Sequence, residues 1–309
     1  MTNIFIDGSA GTTGLRIRNR LCAREDLHVL TLPENLRKDP SARREAMAQA
    51  DVTFLCLPDA AAREAVALAE GTKTVLIDTS TAHRTSPDWT YGFPELPGMR
   101  ERIASSKRVA NPGCHASGFV ALTAPLVNAG LLYPDARLSC FSLTGYSGGG
   151  KSMIAAYEAA DRDPSLSSPR QYALGQAHKH LPEMRAFSGL QTQPLFCPIV
   201  ADFYSGMEVT VPLFASDLRG TVADVKEAYA SCYQSPILHY DGEAEQAENG
   251  FLSAGAFAGR DDMQITVCGN EERLLLIARF DNLGKGASGA AIQNLNLLLG
   301  VSETAGLVV

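Results

Sequence analysis

The sequence predicts an α/β protein in two parts: a parallel sheet wrapped by helices first, then an α+β part on a mixed, mostly antiparallel sheet. Three observations point there. Up to residue 113, short apolar runs alternate with helix-period runs, the rhythm of parallel strands joined by crossover helices. A glycine-rich turn joins the first of these strands to the first helix. Beyond residue 138, strand-like runs outnumber helical ones and longer connections separate them. A chain of 309 residues also exceeds what one hydrophobic core usually serves.

Bulk composition narrows the function classes. Hydrophobic residues make up 45% of the chain and charged residues 20%, as in ordinary globular proteins. The net charge of -7, with no long Lys/Arg run, supplies no field for nucleic acid, so no such partner is expected. Small anionic substrates stay compatible, because local Arg, His and N–H groups bind them. The seven cysteines lack C-x-x-C spacing, which argues against a disulfide framework or a zinc site, so no metal is expected. No apolar run has the length of a membrane span. Met1 leads straight toward a strand without a basic and then apolar leader, so the reducing cytoplasm is the expected location.

Taken in order, residues 3–7 read as a buried strand. Gly8-Ser9-Ala10-Gly11-Thr12-Thr13-Gly14 then leads into a helix carrying Leu15, Ile17 and Leu21. Glycines 8, 11 and 14 form G-x-x-G-x-x-G, a variant of the Rossmann-like fingerprint that brings N–H groups and a helix N-terminus against a pyrophosphate. A second strand is expected over 28–32. Arg37 and Lys38 follow it closely and suit a ribose 2′-phosphate, favouring NADP over NAD, although solvated loop charges would look the same. A helix over 42–50, a strand over 51–57 ending at Pro58, a helix over 60–69 and strands over 74–78 and 108–110 continue the pattern. Cofactor and substrate belong at the C-terminal strand ends. Pro58 and Ser80 are placed there as cofactor contacts and Arg84 as a grip on an anionic substrate; an unpaired surface arginine is the plainer alternative.

Val109-Ala110-Asn111-Pro112-Gly113-Cys114-His115-Ala116-Ser117-Gly118 sets one cysteine in a turn where an apolar helix begins. The positive end of the helix dipole favours its thiolate, the form that attacks carbonyl carbon, so Cys114 is the candidate nucleophile against the alternative of an inert buried cysteine. Ser147 and Gly148 lie in a glycine-rich loop without P-loop spacing, and their N–H groups suit a phosphate or an oxyanion. His178 and His180 form an H-x-H pair followed by Glu183. A metal site is the lesser reading. Either imidazole can exchange a proton near neutrality; His180 is taken as acid/base and His178 as a substrate contact, a division that sequence leaves open. Glu183, opening a helix over 182–187, is positioned to orient an imidazole. Strands at 195–200, 207–213, 264–268 and 273–280, with one helix over 222–233, suggest a sheet that pairs subunits into a dimer or tetramer. Asn282 and Lys285 precede a closing helix through residue 298, and the small residues there suggest approach to the nicotinamide side of the cofactor. The implied domains are 1–113, 114–284, and a C-terminal segment, 285–309, packing back on the first.

Together these stretches resemble the short-form N-acetyl-γ-glutamyl-phosphate reductases of the semialdehyde dehydrogenase superfamily. The resemblance rests on residues 8–14, 91–96, 111–118, 147–151, 178–183, 196–207 and 281–300. It implies that NADPH reduces N-acetyl-L-glutamyl 5-phosphate to the 5-semialdehyde in arginine biosynthesis, through a thioester on Cys114, with phosphate released and a histidine of the 178/180 pair as acid/base. His115 departs from the aromatic residue usual in longer members. Three rivals remain: the same chemistry on aspartyl phosphate, a cysteine hydrolase, and a non-enzymatic NADP-sensing module.

Overall fold

The fold is that of a computed structural model describing residues 1–247 and 249–309. Along the chain the elements run β1 (Thr2–Asp7), α1 (Thr12–Leu21), β2 (Leu27–Leu30), α2 (Pro40–Gln49), β3 (Val52–Leu55), α3 (Asp59–Leu68), β4 (Val75–Asp78), β5 (Thr90–Tyr91), α4 (Met99–Ala104), β6 (Arg108–Ala110) and α5 (Cys114–Asn128). They continue as β7 (Ser139–Gly145), α6 (Gly150–Glu158), β8 (Arg170–Gln171), α7 (Leu181–Ser188), β9 (Leu195–Ala201), β10 (Met207–Phe214), α8 (Val222–Cys232), β11 (Leu238–Tyr240), α9 (Ala244–Ala247), β12 (Met263–Gly269), β13 (Arg273–Phe280) and α10 (Gly289–Leu299). Two compact units result, one of Met1–Pro112 with Ala287–Leu307, the other of Gly113–Gly286 with Val308–Val309.

The first unit is a six-stranded sheet in the order β2-β1-β3-β4-β6-β5, parallel at every pairing. Both faces are covered, so its strands are apolar on both sides. On one face Ile4, Ile6, Val52, Phe54, Ile77 and Val109 pack with Ile17 and Leu21 of α1, Ile103 of α4, and Ile292 and Leu295 of α10. On the other, Phe5, Leu55, Leu76 and Ala110 meet Ala46 and Met47 of α2, Ala65 of α3, and Trp89. The period of two along β1 thus decides which helix each side chain meets. The strand expected over 28–32 ends at Leu30, and a short 3₁₀ turn, Glu34–Leu36, follows. Two-residue β5 is too short to show an alternation in sequence.

The second unit holds a seven-stranded sheet in the order β11-β12-β13-β10-β7-β9-β8. Pairings are antiparallel except β11 with β12 and β7 with β9. Helix α5 packs against β10, β13, α7 and α8. It is apolar nearly all round and correspondingly buried. A Cβ on Gly118 would lie 2.5 Å from Val209 Cγ2, so glycine lets α5 press onto the sheet. Pro125 inside α5 has no N–H for the carbonyl of Ala121. The Tyr233 hydroxyl fills that role, donating to Ala121 O at 2.7 Å, while Tyr229 donates to Leu122 O.

Register places Thr210 beside Phe141 and Pro212 beside Leu275, one residue out of step with Val209, which meets α5. The sheet face away from α5 therefore presents Phe141, Leu195, Phe214 and Leu275, between 42% and 61% exposed.

Candidate active site

In the first unit, β1 ends at Asp7 and the chain turns at Gly8 with φ +90°. A Cβ on Gly8 would stand 2.3 Å from Cys56 O, and one on Gly14 would stand 2.4 Å from Gly8 O. Only glycine fits either place. Gly11 N–H donates to Gly8 O at 3.1 Å, closing the turn, and Gly11 caps α1, whose first residues are Thr12, Thr13 and Gly14. No side chain caps that helix and its first turn carries no acid, an end suited to an anion. Beside it opens a cavity of about 610 Å³ lined by Gly8, Ser9, Ala10, Arg18, Arg37 and Lys38, among others. The glycine cradle and the size of the cavity fit a dinucleotide. Arg18 was not foreseen: α1 carries arginines at 16, 18 and 20, and only the helix orientation shows which one lines the cavity.

Beneath the turn, Asp7 is held by buried Arg43, whose Nε and Nη2 donate to Asp7 Oδ2 at 3.0 and 2.9 Å while Nη1 donates to Glu64 at 2.7 Å. Burial raises the Asp7 carboxyl above its ordinary value although Arg43 lowers it. Burial likewise pushes the Cys56 thiol up to about 12, so Cys56 stays protonated.

Pro58 caps α3 next to Leu57, which lines the cavity. Ser80 turns inward: its N–H and hydroxyl donate to Asp78 at 2.9 and 2.8 Å. Arg84 is buried, so the surface alternative fails. Its Nε donates to Asn111 O at 2.9 Å and its Nη2 to Thr79 O at 3.2 Å, so these donors fasten strand ends rather than reach an anion. Sequence also missed His83, which bonds Asp78 through Nδ1 at 2.6 Å and stacks on Trp89.

In the second unit, Cys114 opens the fifteen-residue helix α5, and Gly113 caps it in extended conformation. A Cβ on Gly286 would lie 2.8 Å from Cys114 Cβ, so the backbone at 286 is pressed against the cysteine. Cys114, His115 and His180 place their Sγ and ring nitrogens within 4.8 Å of one another. His178 stands over His180 with ring centroids 4.8 Å apart. The His180 N–H donates to His178 Nδ1 at 3.2 Å, which fixes His178 as acceptor at that atom. Glu183 Oε1 accepts from Gly113 N–H at 2.8 Å. This carboxylate oxygen therefore steadies the turn before Cys114.

His115 is the residue whose place sequence did not anticipate. Buried, it bonds Ser142 Oγ through Nδ1 at 2.7 Å and Tyr172 Oη through Nε2 at 2.8 Å. Burial, then His178 and Lys179, pushes its pKa down to about 3. Tyr172 shifts upward, through burial and then the nearby Cys114.

The loop after β7 corrects another expectation. Ser147 N–H donates to Tyr204 O at 3.0 Å, and Ser147 Oγ accepts from Asn282 Nδ2 at 3.0 Å. These groups brace the loop, while Gly148 is exposed. Asn282 also accepts Gly206 N–H at 2.9 Å, so both ends of its amide make bonds within the second unit. Lys285 is buried in a turn of π-helix, Gly284–Ser288.

Two family models match the chain: the semialdehyde dehydrogenase NAD binding domain over residues 22–106 and the semialdehyde dehydrogenase dimerisation domain over residues 114–282. N-acetyl-gamma-glutamyl-phosphate reductases of Brucella ovis and Brucella canis are each 46% identical, covering 96% of this chain and 98% of theirs. The chain belongs to the N-acetyl-γ-glutamyl-phosphate reductase family. It is an oxidoreductase of that family, with a semialdehyde dehydrogenase NAD-binding domain. Solved structures sharing the fold include aspartate semialdehyde dehydrogenase II of Vibrio cholerae complexed with ASA, at TM-score 0.72 and 15% identity, covering 97% of this chain and 98% of that one. Another is aspartate semialdehyde dehydrogenase with NADP from Candida albicans, at TM-score 0.66 and 14% identity, covering 97% and 98%. Among the described residues no helix is long and apolar enough to cross a membrane.

Proposed function

We propose that this chain reduces N-acetyl-L-glutamyl 5-phosphate to N-acetyl-L-glutamate 5-semialdehyde, with NADPH as reductant and Cys114 as nucleophile. The observation that carries the reading is a cysteine in the first turn of a helix with the His180 imidazole inside 4.8 Å of its sulfur. The helix dipole favours the thiolate there. The thiolate attacks the acyl carbon, the carbon–oxygen bond to phosphate breaks, and a thioester forms on Cys114. The first N–H groups of α5, which no side chain caps, are suited to the tetrahedral oxyanion; Gly113 N–H is already bonded to Glu183. Residues 8–14 with Arg18, Arg37 and Lys38 would hold NADPH, which when bound would supply the hydride that takes the thioester to the aldehyde level. Collapse of the resulting hemithioacetal breaks the carbon–sulfur bond and restores the thiolate. His180 takes and returns protons, with His178 beside the substrate. Burial pushes the His115 pKa down to about 3, so near neutrality its ring is a neutral imidazole and His115 is not assigned the acid role.

The exposed apolar face bearing Phe141, Leu195, Phe214 and Leu275 supports self-association into a homo-oligomer. A cytoplasmic location fits a thiol enzyme that needs reducing conditions. The test is acyl-phosphate-dependent oxidation of NADPH against NADH, with acetylglutamyl and aspartyl phosphates. Turnover is expected with acetylglutamyl phosphate and NADPH. Preference for aspartyl phosphate, or no reduction with either, overturns the assignment.

A further inference from the structure

The H-x-H pair with Glu183, which sequence offers as a metal set, does not converge: His178 Nδ1 accepts from His180 N–H, and Glu183 Oε1 from Gly113 N–H. A different trio does. We propose that Cys114, His115 and His180 form a binding site for one thiophilic divalent cation, Zn2+ above all, and that its occupation blocks the reduction. The inhibitory half rests on the function proposed above; the binding half does not.

One thiolate and two imidazoles are a donor set that zinc selects, with an outer position left for water. Bonds of about 2.0–2.3 Å place tetrahedral ligand atoms about 3.3–3.6 Å apart. The three donor atoms already lie within 4.8 Å of one another, so side-chain rotations of about 1.2–1.5 Å close the set. Cys114 and His115 sit in the first turn of α5 and His180 at the cap of α7, and α5 and α7 pack on each other. The donors thus come from secondary structure rather than from loose loops.

His115 is prepared for such a role. Its ring is buried within the cluster, tilted against the His180 ring with centroids 5.3 Å apart. Its two nitrogens are bonded to Ser142 Oγ and Tyr172 Oη. Keeping one of these oxygens orients the ring, as an oxygen partner does at most metal-bound histidines, while the other is exchanged for the ion. Cys114 is half-buried and leaves a path for entry. On binding, the sulfur–proton bond is replaced by a sulfur–metal bond and the proton passes to solvent, with no change of oxidation state. The sulfur is then unavailable to an acyl carbon.

The experiment titrates the metal-free chain with Co2+, then Zn2+. A thiolate-to-cobalt charge-transfer band with tetrahedral d–d bands is expected, saturating at a single ion per chain and bleached by Zn2+. Cys114→Ser, nearly isosteric, is expected to abolish the charge-transfer band. His115→Phe is expected to weaken Zn2+ at least as much as Ser142→Ala, for which a loss of about 10–100-fold is expected. Circular dichroism confirms that each variant is folded. No charge-transfer band in the unaltered chain, or unaltered Zn2+ affinity in folded His115→Phe, overturns the site. Zn2+ inhibition of turnover, reversed by a chelator, is expected alongside. A chain that shows the cobalt band yet turns over unimpeded with Zn2+ bound keeps the metal site, but overturns both the inhibitory half and Cys114 as nucleophile.

Discussion

Gly286→Ala isolates the positioning of Cys114, the proposed nucleophile, from its chemistry. The added methyl would meet Cys114 Cβ at 2.8 Å, Asp281 O at 3.1 Å and Phe280 Cε2 at 3.3 Å, so it has no side on which to retreat. Ordinary carbon–carbon contact is about 3.5–4.0 Å, so Cys114 and residue 286 must part by about 0.7–1.2 Å. Overpacking of this kind costs about 1–3 kcal/mol of stability. A misplacement of about 1 Å at a reacting centre costs on the order of 10²-fold in rate. The expected result is kcat for acyl-phosphate-dependent NADPH oxidation down by about that factor, NADPH affinity nearly unchanged, and a slower alkylation of Cys114 by iodoacetamide. Unchanged kcat in a folded variant refutes the placement of the reacting sulfur against residue 286.

Four further outcomes are expected. Cys114→Ser abolishes reduction and leaves NADPH affinity within a few-fold, measured by fluorescence titration; retained turnover removes Cys114 from the mechanism. Arg43→Ala leaves Asp7 buried without its cation and lowers stability by about 3–5 kcal/mol in denaturant melts. Without Arg43 the buried Asp7 carboxyl rises further above its ordinary value, so the loss is full above the variant's pKa and shrinks as pH falls from there toward the wild-type value; a loss independent of pH contradicts this. His115 folds with its pKa depressed to about 3, so unfolding takes up a proton between that value and the ordinary 6.5 and its stabilisation fades as pH falls through the window. His115→Phe, although less stable near neutrality, should therefore show an acid-side slope flatter by up to about 1.4 kcal/mol per pH unit, with an unchanged slope as the opposing result. Phe141→Asp, on the exposed sheet face, shifts sedimenting species toward monomer if that face joins subunits.

What was legible in the sequence was local. The strand and helix periods of residues 3–21 and 51–78, the glycines of the first turn and the cysteine at the head of α5 all follow from neighbours a few residues apart, because steric and hydrogen-bonding rules act at that range. Strands as short as β5 and β8 carry too few residues to show a period, and their pairing depends on remote partners.

The site divides along the same line. Sequence determined that a cysteine opens a helix, that glycines clear a dinucleotide turn, and that two histidines stand nearby in the chain. Tertiary structure alone decided that Glu183 bonds the N–H before the cysteine across 70 residues, that Asn282 rather than an anion meets Ser147 across 135, and that His115 rather than His178 joins Cys114 and His180. The reason is physical: a polar group taken into the interior must find a partner there, and which one it finds depends on packing that brings distant segments together, information that no local window contains.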